Sequence, residues 1–558
     1  MDRHPPPTHP PKKALSERHA LLREMIVEAS LELLAREGLG LGVDAIGYAR
    51  VFQDLETEHD VRVTRGSVHR RIWDSHDDYR NDVLVAVAER SSPHHNAPRL
   101  EAAVNGILLH LDGLDLDHDE RVRTFCRIAG SALLDHYLDS PRFRRFQALK
   151  AVARSGGEPT AMLQAMIGEK ADGNLAERID ASAFMFRALG LRPRVDLRLT
   201  ERQAVGAYLA LVQTLLTGAH LDHHAGYTAV SAPVETGLYA DDGIPWTCFG
   251  LGLLATMNLL FERDPSAPAL QLDDPAELTA RADQLDAEAS KRHGSSDQVP
   301  GTGGLRRSKD ELRALLVSTG ERLLLQDGIA LTPYSLTYAG VFEYIKATRG
   351  VTLHRSAIHK HIWSSQGEFQ ADVLAEAARY DPGESLVSAR QAMAAQVAVR
   401  NPDGTVNQRQ MILDSTLAIV EAQMHVSAHS SSFHRWQSIK ASMLSQDAGD
   451  HAVELARAIS DRYEELVSDF VETYRSVLPL VGLQVNPDLK IDEDQAYQQF
   501  AVLGAAFTSG ADYNATAGSG LATGTVPLPR VDGSGRSDSW PIQAMASLAI
   551  LDLFFVPS

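Results

Sequence analysis

Two clusters of cationic and hydrogen-bonding side chains carry the chemistry most visible in this chain. The first is Thr64, Arg65, Ser67, His69, Arg70 and Arg71; the second is His354, Arg355, Ser356, His359, Lys360 and His361. Arginine and lysine pair with guanine O6 and N7 or neutralise phosphates, and histidine can donate to phosphate oxygens. Standing alone, a run such as Arg70-Arg71 is more often a solvated helix face. Repetition shifts that balance. A displacement of 290 residues pairs Arg65 with Arg355, His69 with His359, Ile72-Trp73 with Ile362-Trp363 and Asp82-Val83-Leu84 with Asp372-Val373-Leu374, without a gap. A register held over that length marks an internal duplication.

The elements that must position these side chains read as short helices. Leu22, Met25, Ile26, Ala29, Leu33 and Leu34 follow a helical period that stops at Gly38, and the copy repeats it from Leu312 to Gly328. A second helix is expected around Ile46 to Leu55, where Tyr48, Ala49, Val51 and Phe52 match Tyr338, Ala339, Val341 and Phe342 as a common buried set. Thr64 is then placed to cap a helix from Arg65 to Trp73, with Val68 and Ile72 turned inward. Asp74 ends it, and Ser75 with Asp78 opens the next; in the copy Ser365 and Glu368 make a capping box. Trp73 and Trp363, each one residue past an inward Ile, read as core plugs rather than stacking platforms for bases. Helix, turn, basic helix is a layout that sets a helix in a major groove.

With Arg65 to Trp73 followed by Ser75 to Tyr79, and Arg355 to Trp363 followed by Ser365 to Phe369, each copy resembles the TetR family of bacterial transcription regulators over about 70 residues. That family carries a recognition helix of the form x-G-T-L-Y-x-H-F and a serine-capped fourth helix. The chain departs from it with His69 and His359 where Tyr is usual, and with a longer span between Gly38 and Thr64. The resemblance implies an all-α fold of two tandem TetR-like halves, each a helix-turn-helix DNA-binding domain joined to a larger helical domain for ligand binding and dimerisation. It further implies that Trp246 to Phe261 and the helix near Thr200 pack on Trp540 to Phe555 and the helix from Asp492, making one chain a pseudo-dimer. The implied partners are a double-stranded DNA operator of imperfect palindromic sequence and a small-molecule effector, with further homodimerisation open. The implied activity is repression of transcription. The alternative is a ligand sensor or protein-interaction scaffold in which the lengthened turn has abolished DNA binding.

Composition sets outer limits. With 54 basic and 73 acidic residues the formal net charge is −19, so a nucleic-acid site must be a local patch. Cys126 and Cys248 lie far apart with no ligand spacing, and are expected to be buried thiols in a reducing cytoplasm. His220, His223 and His224 could share an ion, but the copy reads Asp512, Tyr513 and Asn514, so no metal is expected. No nucleophile elbow, Walker loop or HExxH stands in the sequence, and neither enzymatic activity nor a cofactor is expected. The start lacks the apolar core of a signal peptide and the apolar runs carry polar breaks, so no membrane segment is expected.

The expected order is a disordered Pro-rich arm at 1–20, a helix-turn-helix domain at 21–95 and a helical ligand and dimerisation domain at 96–262. A linker with a helix at 263–308 leads to the second helix-turn-helix domain at 309–385 and the second helical domain at 386–558. Phe143 to Ala151 matches Phe433 to Ala441 at the same displacement, which extends the duplication beyond the basic units. Gly218 to Gly243 and Gly510 to Ser539 read as long loops from their Gly, Ser and Ala content.

Overall fold

Helical periodicity dominates both halves, and in the computed structural model helices account for 72% of the described residues, with short strands beside them. The chain is mostly α rather than wholly α. Described are residues 23, 26 and 48–59, positions within 62–86 and 104–150, residue 167, and residues 175–266 apart from 237 and 239–243. In the second half they are positions within 338–391, residues 408–430, positions within 433–443, and residues 450–558 apart from 517–523, 532–533 and 535. The arm expected at 1–20 and most of the linker at 263–308 lie outside them.

Helix α1 (Tyr48–His59) belongs to the first small unit. Tyr48, Val51, Leu55, Val68, Trp73, Tyr79 and Val83 form its buried set, while Ile72 is half-buried. Tyr48 stacks on Tyr79 at 4.7 Å between centroids, and Trp73 meets Tyr79 edge-on at 5.0 Å. The Trp73 indole N–H donates to Asp82 at 2.5 Å, and Arg23 pairs with the same carboxylate at 2.8 Å. The copy repeats this: Tyr338 stacks on Phe369, Trp363 meets Phe369 edge-on, and the Trp363 indole donates to Asp372. Both tryptophans are core plugs. Ser75 Oγ accepts from the Asp78 amide while Asp78 accepts from the Ser75 amide, and Ser365 Oγ accepts from the Glu368 amide.

The larger part of the first half runs α2 (His118–Tyr137), α3 (Leu175–Ala188), β1 (Leu191–Pro193), a 3-10 turn, α4 (Glu201–His224), β2 (Pro233–Val234), β3 (Trp246–Thr247), α5 (Cys248–Leu260) and β4 (Phe261–Arg263). The second half runs α6 (Gln408–His429), α7 (Asp450–Val477), β5 (Leu483–Val485), a 3-10 turn, α8 (Glu493–Thr516), β6 (Thr525–Pro529), β7 (Ser537–Pro541), α9 (Ile542–Phe554) and β8 (Phe555–Pro557). Apart from an extra 3-10 turn at Leu478–Val481, between α7 and β5, the order is the same. Antiparallel pairing of β1 with β4, and of β5 with β8, ties the approach to α4 or α8 to the end of the last helix. Even the turns recur: Gly190 and Gly482 have φ of 70° and 73°, and Arg198 and Lys490, left-handed without being glycine, have φ of 54° and 51°.

The two halves meet where α4 crosses α8, with α5 and α9 packed alongside and against each other. Closeness there requires two glycines. A Cβ added to Gly218 would stand 1.9 Å from the Ala506 carbonyl oxygen, and one added to Gly510 would stand 1.9 Å from that of Thr214. Backbone therefore touches backbone in both directions. Within α4 an apolar stretch long enough to cross a membrane is 78% buried inside the chain, so its hydropathy is accounted for by this packing. The expectation of loops from Gly218 and Gly510 is corrected here: α4 runs on to His224 and α8 to Thr516, and part of the second stretch forms the β6–β7 ribbon. Helical glycines at a crossing look like loop glycines until their partner helix is known.

Gly218→Ala or Gly510→Ala should force the helices apart and lower stability by about 1–3 kcal/mol, the usual range for overpacking. Gly106→Ala, where an added Cβ meets nothing within 4 Å, should leave the urea midpoint unchanged or raise it.

Candidate functional site

Of the twelve side chains expected to contact DNA, Thr64 is described, and it is exposed and outside any helix. Arg65, Ser67, His69, Arg70, Arg71, His354, Arg355, Ser356, His359, Lys360 and His361 lie outside the described residues. What the structure gives of the first unit is the frame on that side: Val68 fully buried, with the Ile72 amide bonded to the Val68 carbonyl at 3.0 Å as in a helical turn.

A second constellation lies at the junction. Lys440 is wholly buried; its ammonium meets Asp222 of α4 at 2.7 Å and Ser509 of α8 at 2.7 Å. Tyr463 of α7 donates to the other Asp222 oxygen at 2.8 Å, and it also hydrogen-bonds Ser509. Burial, with the Asp222 charge beside it, holds the Tyr463 phenol well above its ordinary range, so it stays neutral. The first half sends Lys150 across in the same manner, but its partner is Asn514 of α8, at 2.6 Å. In the register that pairs Gly218 with Gly510, Asn514 stands at the place on α8 that Asp222 holds on α4, so the counterparts of His220, His223 and His224 are corrected to Asp512, Ala515 and Thr516. Thus one crossing lysine faces a carboxylate and the other a neutral amide. Burial without a counter-ion pushes the Lys150 ammonium down to about 7, with the Phe146 ring 4.9 Å from it.

Beside the Lys440 network, α6, α7, α8 and α9 line a partly open cavity of about 120 Å3. Its wall includes Phe433, Trp436, Tyr463, Phe470, Tyr474 and Phe500, with Ser415, Thr416, Gln423, Gln437, Thr508, Ser509 and Ser547 as polar groups. Among the described residues that line it there is no Asp, Glu, Lys, Arg or His. Two buried polar atoms on that wall, Ser415 Oγ and Gln437 Oε1, have no hydrogen-bond partner, an uncommon condition that a ligand or water would relieve. The Gln437 amide nitrogen is 3.5 Å from Ser509 Oγ.

The space exists because the halves differ in side-chain size at equivalent places. Where the second half has Ser415, Ala501, Thr508 and Ser547, the first has Phe125, Leu209, Leu216 and Leu253, all buried. Val212 stands opposite Gly504. The larger set packs as ordinary core. Gln147, the counterpart of Gln437, also keeps an unpaired Oε1, so an orphan carbonyl marks no site without the room in front of it.

Sequence reasoning did not reach these residues. Lys150 and Lys440 look like surface lysines until their partners, 364 and 218 residues away, are seen. Aligning the halves and asking where large apolar residues become small or polar would have picked out Ser415, Ala501 and Ser547. The histidine cluster is helical: His220 is buried edge-on to Phe143 and His224, and the His224 ring lies 3.0 Å from the Leu138 carbonyl. Burial first, then His224, holds His220 well below the usual imidazole range. Cys126 and Cys248 are buried free thiols.

Removing Lys440 with Lys440→Met leaves Asp222 buried without its counter-ion and should cost roughly 3–5 kcal/mol in a denaturant titration. Lys150 predicts a pH effect instead. Unfolded, its amine keeps the proton to about 10.5; folded, it releases it near 7. Between those values the unfolded chain binds more protons, so this group adds stability as pH rises, at most about 1.4 kcal/mol per unit, and loses it as pH falls to 7. Buried thiols and phenols act oppositely above about pH 9, where they ionise only when unfolded. The wild-type minus Lys150→Met difference in unfolding free energy, followed from pH 7 to 9, should therefore rise.

Set against known proteins, the chain matches no family model and no curated sequence.

Proposed function

We propose that the chain is a DNA-binding transcription regulator, a repressor, that works as a single-chain pseudo-dimer on an imperfect palindrome and is released by a small-molecule effector. The junction carries this reading. Two halves of the same element order pack back to back through equivalent helices, as symmetric regulators do when they hold two recognition helices about one DNA turn apart. The duplicated basic segments supply the sequence side of the argument. Effector control fits the position of the cavity. Its wall shares Ser509 and Tyr463 with the Lys440–Asp222 network, so an occupant pressing on them bears on the α4–α8 crossing and, through it, on the spacing of the two N-terminal units.

The segments differ at Thr64 and His354, Gly66 and Ser356, Ser67 and Ala357, and Arg71 and His361, so the two half-sites should differ in sequence. Duplexes enriched from a randomised pool, then footprinted at base resolution, should show an imperfect palindrome with steeply salt-dependent affinity. Arg65→Ala should weaken contact at one half-site and Arg355→Ala at the other, by about 1–3 kcal/mol if each reads a base. Failure to enrich any duplex at low salt would reject the regulator and favour the sensor or scaffold.

A further inference from the structure

We infer that the cavity of the second half takes one uncharged, small aromatic molecule per chain, held by a ring N–H or O–H donated to Gln437 Oε1. The inference names the ligand class of the effector site proposed above and rests on that reading.

Three observations converge on this class. The wall is rich in aromatic rings, with Trp436, Phe470 and Phe500 among them, which favours a flat ring that can stack or meet them edge-on. Among the described wall residues no ionisable group of opposite charge is there to meet a carboxylate or an ammonium: Asp222 and Lys440 lie behind Ser509 and are paired to each other, and burial pushes the Tyr474 phenol up to about 12. A charged ligand would be desolvated without compensation. The buried acceptor Gln437 Oε1 lacks a donor, and Ser415 Oγ offers a second polar contact. The size agrees as well, since 120 Å3 is close to the roughly 150 Å3 of a cavity that binds benzene. At the equivalent places the first half is filled by Phe125, Leu209, Leu216 and Leu253, which limits binding to one molecule.

The probes are indole, indene and benzoate: a ring with an N–H, its near-isostere without one, and a charged ring. Calorimetry on the full chain, with no DNA present, should give one indole per chain. Indene should bind about three- to tenfold more weakly, the worth of one hydrogen bond, and benzoate not measurably. Gly504→Val imports the residue of the first half. An added Cβ there meets only Ile550 Cδ1, at 3.9 Å, so the fold has room for it while the cavity shrinks, and indole binding should be lost with the melting curve retained. Gln437→Leu should bring indole and indene to equal affinity, whereas Gln147→Leu should leave their ratio as in wild type. Absence of indole binding, two molecules per chain, equal indole and indene affinity in wild type, benzoate binding as tightly as indole, or indole binding undiminished by Gly504→Val would each overturn the inference. Because the assay holds no DNA, its failure and that of the regulator reading are separately visible.

Discussion

The contact on which the rest of the molecule depends is the crossing of α4 and α8. Gly218 and Gly510 bring carbonyl oxygens of the opposing helix to where a Cβ would otherwise sit. At that separation nothing with a side chain fits at the crossing, and the neighbouring helices α5 and α9 close over it. The lysines that reach the crossing from either side are sealed from water and must find partners in the other half. A buried ammonium without such a partner would be costly, so polar chemistry at the junction follows from its apolar packing.

Duplication supplied two copies of one backbone plan, and the copies have used it differently. A symmetric dimer repeats every interfacial residue, so an isolated change such as Asp222 against Asn514 would appear twice. In a single chain each change occurs once. That freedom is visible in the crossing lysines, one ion-paired and one not, and in the side chains beside them. One half is packed with Phe and Leu, and the other is hollowed by Ser, Ala and Gly.

Much of this architecture was readable from particular residues. Tyr48 and Tyr338, Trp73 and Trp363, and Phe143 and Phe433 kept identity and spacing because each is a large side chain in a tight core, where substitution leaves a void or a clash. The helical extensions past Gly218 and Gly510 were not readable, since a glycine that admits a neighbouring helix has no local signature that separates it from a glycine in a turn. The junction lysines were hidden for a related reason. Burial of Lys440 is decided by Asp222 and Tyr463, which periodicity within its own helix cannot reveal. The cavity is a difference between two alignable halves, so it was present in the sequence but not in either half alone.

The crossing also has a consequence for biogenesis. Gly218 and Gly510 are 292 residues apart, and a ribosome adding about 5–20 residues per second needs roughly 15–60 s to travel from one to the other. Through that interval α4, apolar enough to span a membrane, has been made but its covering helix has not. The nascent first half must be shielded by a chaperone or by transient contacts, or it will associate with the first half of another chain.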